Sequence, residues 1–141
     1  MVILRNYLAL DIGDKRVGIA IANNVAKLAN PLTTIYRSDN FINDIQKLVD
    51  ENEVSVVIIG LPRSLNGNET SQTKLTREIA ADIKDLIKLP IYFIDEALSS
   101  VRAEEALKLK NKSYQKEDVD ALAASYILED FLTTNSEVVN G

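Results

Sequence analysis

Residues 7–22, reading YLALDIGDKRVGIAIA, constrain the fold of this chain more than any other segment. Two apolar runs flank the short polar break Gly13-Asp14-Lys15-Arg16, and they read as paired strands around a turn, with Gly13 supplying backbone freedom. The first run ends in Asp11. An acid at the end of a buried strand is costly unless a hydrogen-bond network, a cationic side chain or a metal ion compensates it.

The rest of the chain changes period repeatedly. Residues 31–36 supply a third candidate strand that completes a meander, and Ser38-Asp39 offers a helix N-cap. Phe41, Ile42, Ile45, Leu48 and Val49 then fall on one helical face. The β-branched run VSVVII at 54–59 suits a strand buried on both faces, and it stops at Gly60-Leu61-Pro62. Leu75, Ile79, Ile83, Leu86 and Ile87 predict a second amphipathic helix that Pro90 stops. Residues 91–94 predict another buried strand, followed by Asp95-Glu96. A third helix capped by Ser99 or Ser100 runs to about Leu109, and a fourth from about Glu117 to Leu132. Three early strands followed by helix-strand-helix-strand-helix-helix predict an α/β fold, with antiparallel and parallel parts in one mixed five-stranded sheet. Residues 1–135 are expected to form a single domain and 136–141 a flexible C-terminal tail.

Composition removes whole classes of chemistry. The 141 residues include neither Cys nor His, which excludes disulfides, thiolate chemistry, zinc-finger sites, the Ser-His-Asp triad and any imidazole base. Catalysis must therefore use carboxylates, Lys or Arg, hydroxyls or a metal, and oxygen-only ligation favours magnesium or manganese over zinc. The N-terminus lacks the pattern of a signal peptide and no run reaches the length of a membrane span, so a cytoplasmic protein without membrane association is expected. The net charge of −5 argues against a broad nucleic-acid-binding surface, although the charge is unevenly spread.

Ligands of open α/β sheets gather at the carboxyl ends of the strands, where Asp11 and Glu96 are both expected. In the last helix Asp120 stacks at helical spacing with Ala124, Ile127 and Phe131, a line that otherwise faces inward, and Glu117 shares its face. Carboxylates meeting at one point repel unless a divalent cation neutralises them. A pair of such cations can position water and stabilise the leaving oxygen in phosphodiester cleavage. The ordinary reading of Glu117, Asp118 and Asp120 is that acids in a first helical turn suit the macrodipole. Arg63, Lys74 and Arg77 are candidates to reach a phosphate backbone, or else are exposed surface charges; Lys15 and Arg16 either join them or solvate the hairpin.

The ordered set LALDIGDKRVGIAIA, IIGLPRSLNG, IYFIDEALSS and KEDVDALAASYILEDFL resembles the YqgF (RuvX) family over nearly the whole chain. The resemblance implies a ribonuclease H-like fold related to Holliday-junction resolvases, and a nuclease that processes the 5′ end of pre-16S ribosomal RNA in ribosome biogenesis. It carries the family's acidic site onto Asp11, Glu96 and Asp120, a two-metal site for Mg2+ or Mn2+, to which helical spacing adds Glu117 as a further candidate ligand. Asp11 would bridge the two metals, and Lys15, Arg16, Arg63, Lys74 and Arg77 would contact nucleic acid. The implied partner is pre-rRNA or branched DNA, bound by a monomer or weak homodimer. A ribosome-assembly factor on a degenerate nuclease fold is the non-catalytic alternative. The family commonly has Arg after the Asp-Glu pair and Lys-Val-Asp-Ser near the last acid; this chain has Ala97 and Asp118-Val119-Asp120-Ala121.

Overall fold

A computed structural model describes residues 3–64, 66–95, 99–109, 115–135 and 139. Strands β1 (Asn6–Ile12), β2 (Arg16–Asn23) and β3 (Asn30–Tyr36) form the expected meander. Helix α1 (Phe41–Glu51), strand β4 (Val54–Leu61), helix α2 (Ser71–Ile87) and strand β5 (Ile91–Asp95) follow, then helices α3 (Ser99–Leu109) and α4 (Lys116–Thr134). One sheet has the order β3-β2-β1-β4-β5. The meander pairs are antiparallel, and β1 with β4 and β4 with β5 are parallel.

The central position of β1 explains its unbroken apolar run, because both of its faces are covered. Strand alternation sends Leu8, Leu10 and Ile12 into one core, with Ile45 and Val49 of α1 and Ile79 and Ile83 of α2. Tyr7 and Ala9 go to the opposite core, with Ala124, Ile127, Leu128 and Phe131 of α4. Asp11 has the parity of Tyr7 and Ala9, so it belongs to the α4 face of the sheet. Helix α3 packs outside α4 through Ala103 and Leu107.

Two close approaches seat α4 on the sheet. A Cβ placed on Gly18 would lie 1.9 Å from the Asp120 carbonyl oxygen, and one on Gly60 would lie 2.5 Å from Ile127 Cδ1. At Gly18, where the atoms met are backbone, only hydrogen lets the helix lie so low.

Two local expectations are corrected. The N-cap of α1 is Asn40, without a side-chain cap bond, rather than Ser38 or Asp39. The Ser38 hydroxyl accepts instead from the Asn40 amide at 3.3 Å, in a turn that precedes the helix. Leu86 is exposed, because Ile79, Ala80, Ile83 and Ile87 already complete the buried face of α2. Val139, in the segment expected to form a tail, is buried within the α4-face core through its apolar side chain. Among the described residues no helix is long and apolar enough to cross a membrane.

Candidate functional site

Asp11 and Asp120 line the same open pocket of about 370 Å3 at the carboxyl ends of β1 and β4. The β1–β2 turn, Gly60, Pro62 and Ile127 complete its wall. The turn is held by the Gly13 amide donating to the Arg16 carbonyl at 2.9 Å. From outside, Arg37 donates to the carbonyls of Gly13 and Asp14 at 2.9 and 3.1 Å, and its own amide donates to the Lys15 carbonyl. Arg37 thus pins the loop beside Asp11, a role that no spacing in the sequence signals.

The backbone of Asp120 is seated by a close approach to β2. Gly18, whose lack of Cβ admits the Asp120 carbonyl, is the residue directly opposite Asp11 in the β1–β2 ladder. One register position therefore sets both acids. Within the site, Arg16 Nε donates to Asp120 Oδ2 at 2.5 Å, with both side chains mostly shielded from solvent. This bond raises the pKa of the Arg16 guanidinium further. Arg16 is therefore ion-paired with Asp120 across the sheet–helix interface and is not simply a solvated hairpin charge.

Glu117 lies elsewhere. It lines a neighbouring groove beside β3, its Oε1 accepts from the Tyr36 hydroxyl at 2.7 Å, and its carbonyl accepts from the Thr34 hydroxyl at 2.7 Å. Glu117, a further candidate ligand, does not line the Asp11 pocket and joins α4 to β3 through these two hydrogen bonds. The Tyr36 hydrogen bond, aided by a backbone N–H and then by the Arg16 and Lys116 charges, holds the Glu117 carboxyl below its usual pKa. A depressed folded pKa contributes stability above the unfolded value, and that contribution is lost as pH falls through the folded value. Tyr36→Phe should therefore raise the Glu117 midpoint toward the ordinary glutamate range of about 4.3, read by carboxyl NMR titration. An unmoved midpoint would mean that the hydrogen bond does not form in solution.

Glu96 and Ala97 lie outside the described residues; β5 ends at Asp95, just before them. Among the described residues no three acids gather into a metal-holding group. Asp118, where relatives were expected to carry Lys, accepts from the Gln115 amide at 2.9 Å and closes the capping box of α4. The acid at this position is thus a helix-start residue. Of the other expected nucleic-acid contacts, Lys15 and Lys74 are exposed. Arg63 pairs with Asp95 at 2.9 Å, and Arg77 pairs with Glu69 at 2.9 Å.

Comparison with known proteins agrees with this architecture. The model of the RuvX family, described as Holliday junction resolvase, matches residues 5–134. The chain belongs to the RuvX family. A relative from Gloeothece citriformis is 41% identical over 130 residues, covering 89% of this chain and 85% of its own. One from Thermosynechococcus vestitus is 38% identical over 137 residues, covering 94% and 90%. Both carry the name "Putative pre-16S rRNA nuclease". RuvC from T. thermophilus, solved in complex with a Holliday junction substrate, superposes with a TM-score of 0.59 at 14% identity, covering 92% of this chain and 97% of that one. The RuvX-family chain therefore has the ribonuclease H-like fold expected from its motifs.

Proposed function

We propose that this RuvX-family protein is a nuclease that hydrolyses phosphodiester bonds at the 5′ side of precursor 16S ribosomal RNA, using magnesium or manganese. The observation that carries the reading is the pocket shared by Asp11 and Asp120, in a chain without His or Cys. The names of the relatives and the family description point to the same chemistry.

The donor set fits a hard divalent cation, since the pocket offers carboxylate oxygens and no nitrogen or sulfur ligand of the softer metals. Asp11 and Asp120 would hold it, with Glu96, next in sequence after β5, as the third acid. When bound, such cations neutralise the clustered carboxylates and supply an activated water and a stabilised leaving oxygen. The chain itself contributes position. The β1–β2 ladder holds Asp11, the Gly18 approach holds Asp120, and Arg37 fixes the turn between them. Arg16 stands at the same acid, a cation within reach of a phosphate that enters the pocket. Lys15 and Lys74 add exposed positive charge for the approaching strand. Cleavage would leave a 5′-phosphate and a 3′-hydroxyl.

Incubation with precursor 16S RNA, and in parallel with a four-way DNA junction, tests the reading. With Mn2+ or Mg2+ the protein should cut the precursor near its 5′ end, and chelation by EDTA should stop the reaction. Preference for the DNA junction would transfer the same chemistry to a resolvase. Binding that survives EDTA, without cleavage at any metal concentration, would replace the nuclease with a ribosome-assembly factor.

A further inference from the structure

On α2 the cations Lys74, Arg77 and Lys84, with Ala81 among them, recur at steps of three and four and make one exposed row, and the exposed Lys88 follows as the helix C-cap. The acids Glu78, Asp82 and Asp85 fall on the adjacent row. Arg77 and Lys84 of this row lie beside β5, an edge strand of the sheet. There Phe93 is 40% exposed, and the Arg77 guanidinium lies 5.6 Å from its ring centroid. Arg77, Lys84, Ile91 and Phe93 border a hollow of about 400 Å3 floored by Ala80 and Ala81. The small floor residues leave room above the helix, and the cations at its rim supply charge that suits a polyanion.

This face continues from the cleft. Pro62 lines the Asp11 pocket, Arg63 next to it pairs with Asp95 at the end of β5, and Phe93 lies two residues back along that strand. Arg77 is shared with Glu69, but both side chains are about half exposed, so phosphate can compete for the guanidinium. An aromatic ring beside a planar guanidinium, bordered by lysines, is the combination that holds unpaired bases by stacking and their phosphates by charge.

We propose that the α2–β5 face binds a single-stranded stretch of the RNA substrate flanking the cleavage position. A base stacks on the Phe93–Arg77 pair, and the following phosphates run past Lys84, whose exposed ammonium also donates to the Leu89 carbonyl at 2.9 Å, toward Lys88 at the end of the helix. The proposal rests on the reading of the cleft as a nuclease site, and it adds a preference for an unpaired flank that the cleft alone does not require.

The test uses fluorescence anisotropy with a labelled single-stranded RNA of roughly 12 nucleotides, a length within known single-strand site sizes. The full chain carries Asp11→Asn so that the strand stays intact. Phe93→Ala should weaken binding roughly 5- to 150-fold without changing its salt dependence, the range expected for loss of one stacked base. Phe93→Leu, which keeps apolar bulk on the strand and removes only the π-face, should weaken binding in the same direction. Lys84→Gln with Lys88→Gln should flatten the plot of log affinity against log salt by about 1.4, some 0.7 for each phosphate that no longer meets a lysine. Wild-type affinity in Phe93→Leu, with an unchanged salt slope in the lysine pair, would overturn the proposal. So would a parent protein that binds a duplex of the same sequence more tightly than the single strand. Failure of the cleft reading is separate, since it shows as undiminished precursor cleavage by Asp11→Asn alone, whatever the Phe93 and lysine variants do.

Discussion

Asp11→Asn is expected to slow precursor RNA cleavage by about a thousandfold or more, roughly 4 kcal/mol of transition-state stabilisation, with no loss of thermal stability. Asn has the shape of Asp, and β1 is held on both sides by β2 and β4, so the side chain should keep its place at the rim of the pocket. What it loses is the charge that would hold a divalent cation. The folded protein should melt close to wild type, because the substitution leaves the β1 ladder with β2 and β4 intact. A loss of rate without a loss of melting temperature distinguishes a functional acid from a structural one. The measurement pairs single-turnover cleavage in Mn2+ with a melting curve. Wild-type cleavage by the variant would remove Asp11 from the mechanism. A parallel fall in rate and melting temperature would make it a support of the hairpin instead.

The layered fold was legible because burial leaves a direct mark on composition. Strands β1 and β4 read as continuous apolar runs since each has a core on both sides, and α1 shows its inward stripe as Ile45 and Val49 with their helical neighbours. The line from Asp120 through Ala124, Ile127 and Phe131 was also readable: its apolar members are all buried in one core, and Asp120 at its head lines the pocket. Residues whose roles depend on a partner distant in sequence were not readable in the same way. Arg16 meets Asp120 across 104 positions, and Glu117 meets Tyr36 across 81. Helical spacing put Glu117 on the face of Asp120, but the groove beside β3 takes its carboxylate away from Asp11. Nor could spacing reveal why position 18 is glycine. In the sequence Gly18 is one small residue in an apolar strand, and its reason exists only once α4 lies across it.

Gly18→Ala should therefore be costly in two separable ways. The added Cβ would lie 1.9 Å from the Asp120 carbonyl oxygen, 2.3 Å from its carbonyl carbon and 2.9 Å from the Ala121 amide nitrogen. All three are backbone atoms, so no rotamer change relieves the clash and α4 or β2 must shift. Overpacking of this kind costs about 3 kcal/mol, which for a chain of this size lowers the melting temperature by roughly 10 °C. The shift also acts on the site, because Gly18 sits opposite Asp11 while Asp120 rests on Gly18. A displacement of about 1 Å between groups that act together can cost on the order of a hundredfold in rate, even when the protein is fully folded. Gly60→Ala provides the contrast: its new Cβ would meet Ile127 Cδ1 at 2.5 Å, the end of a side chain that can turn aside. Assayed well below both melting points, Gly18→Ala should lose far more activity than Gly60→Ala. Equal activity in the two variants would show that the two acids are not aligned through this contact, and a wild-type melting curve for Gly18→Ala would place α4 further from the sheet.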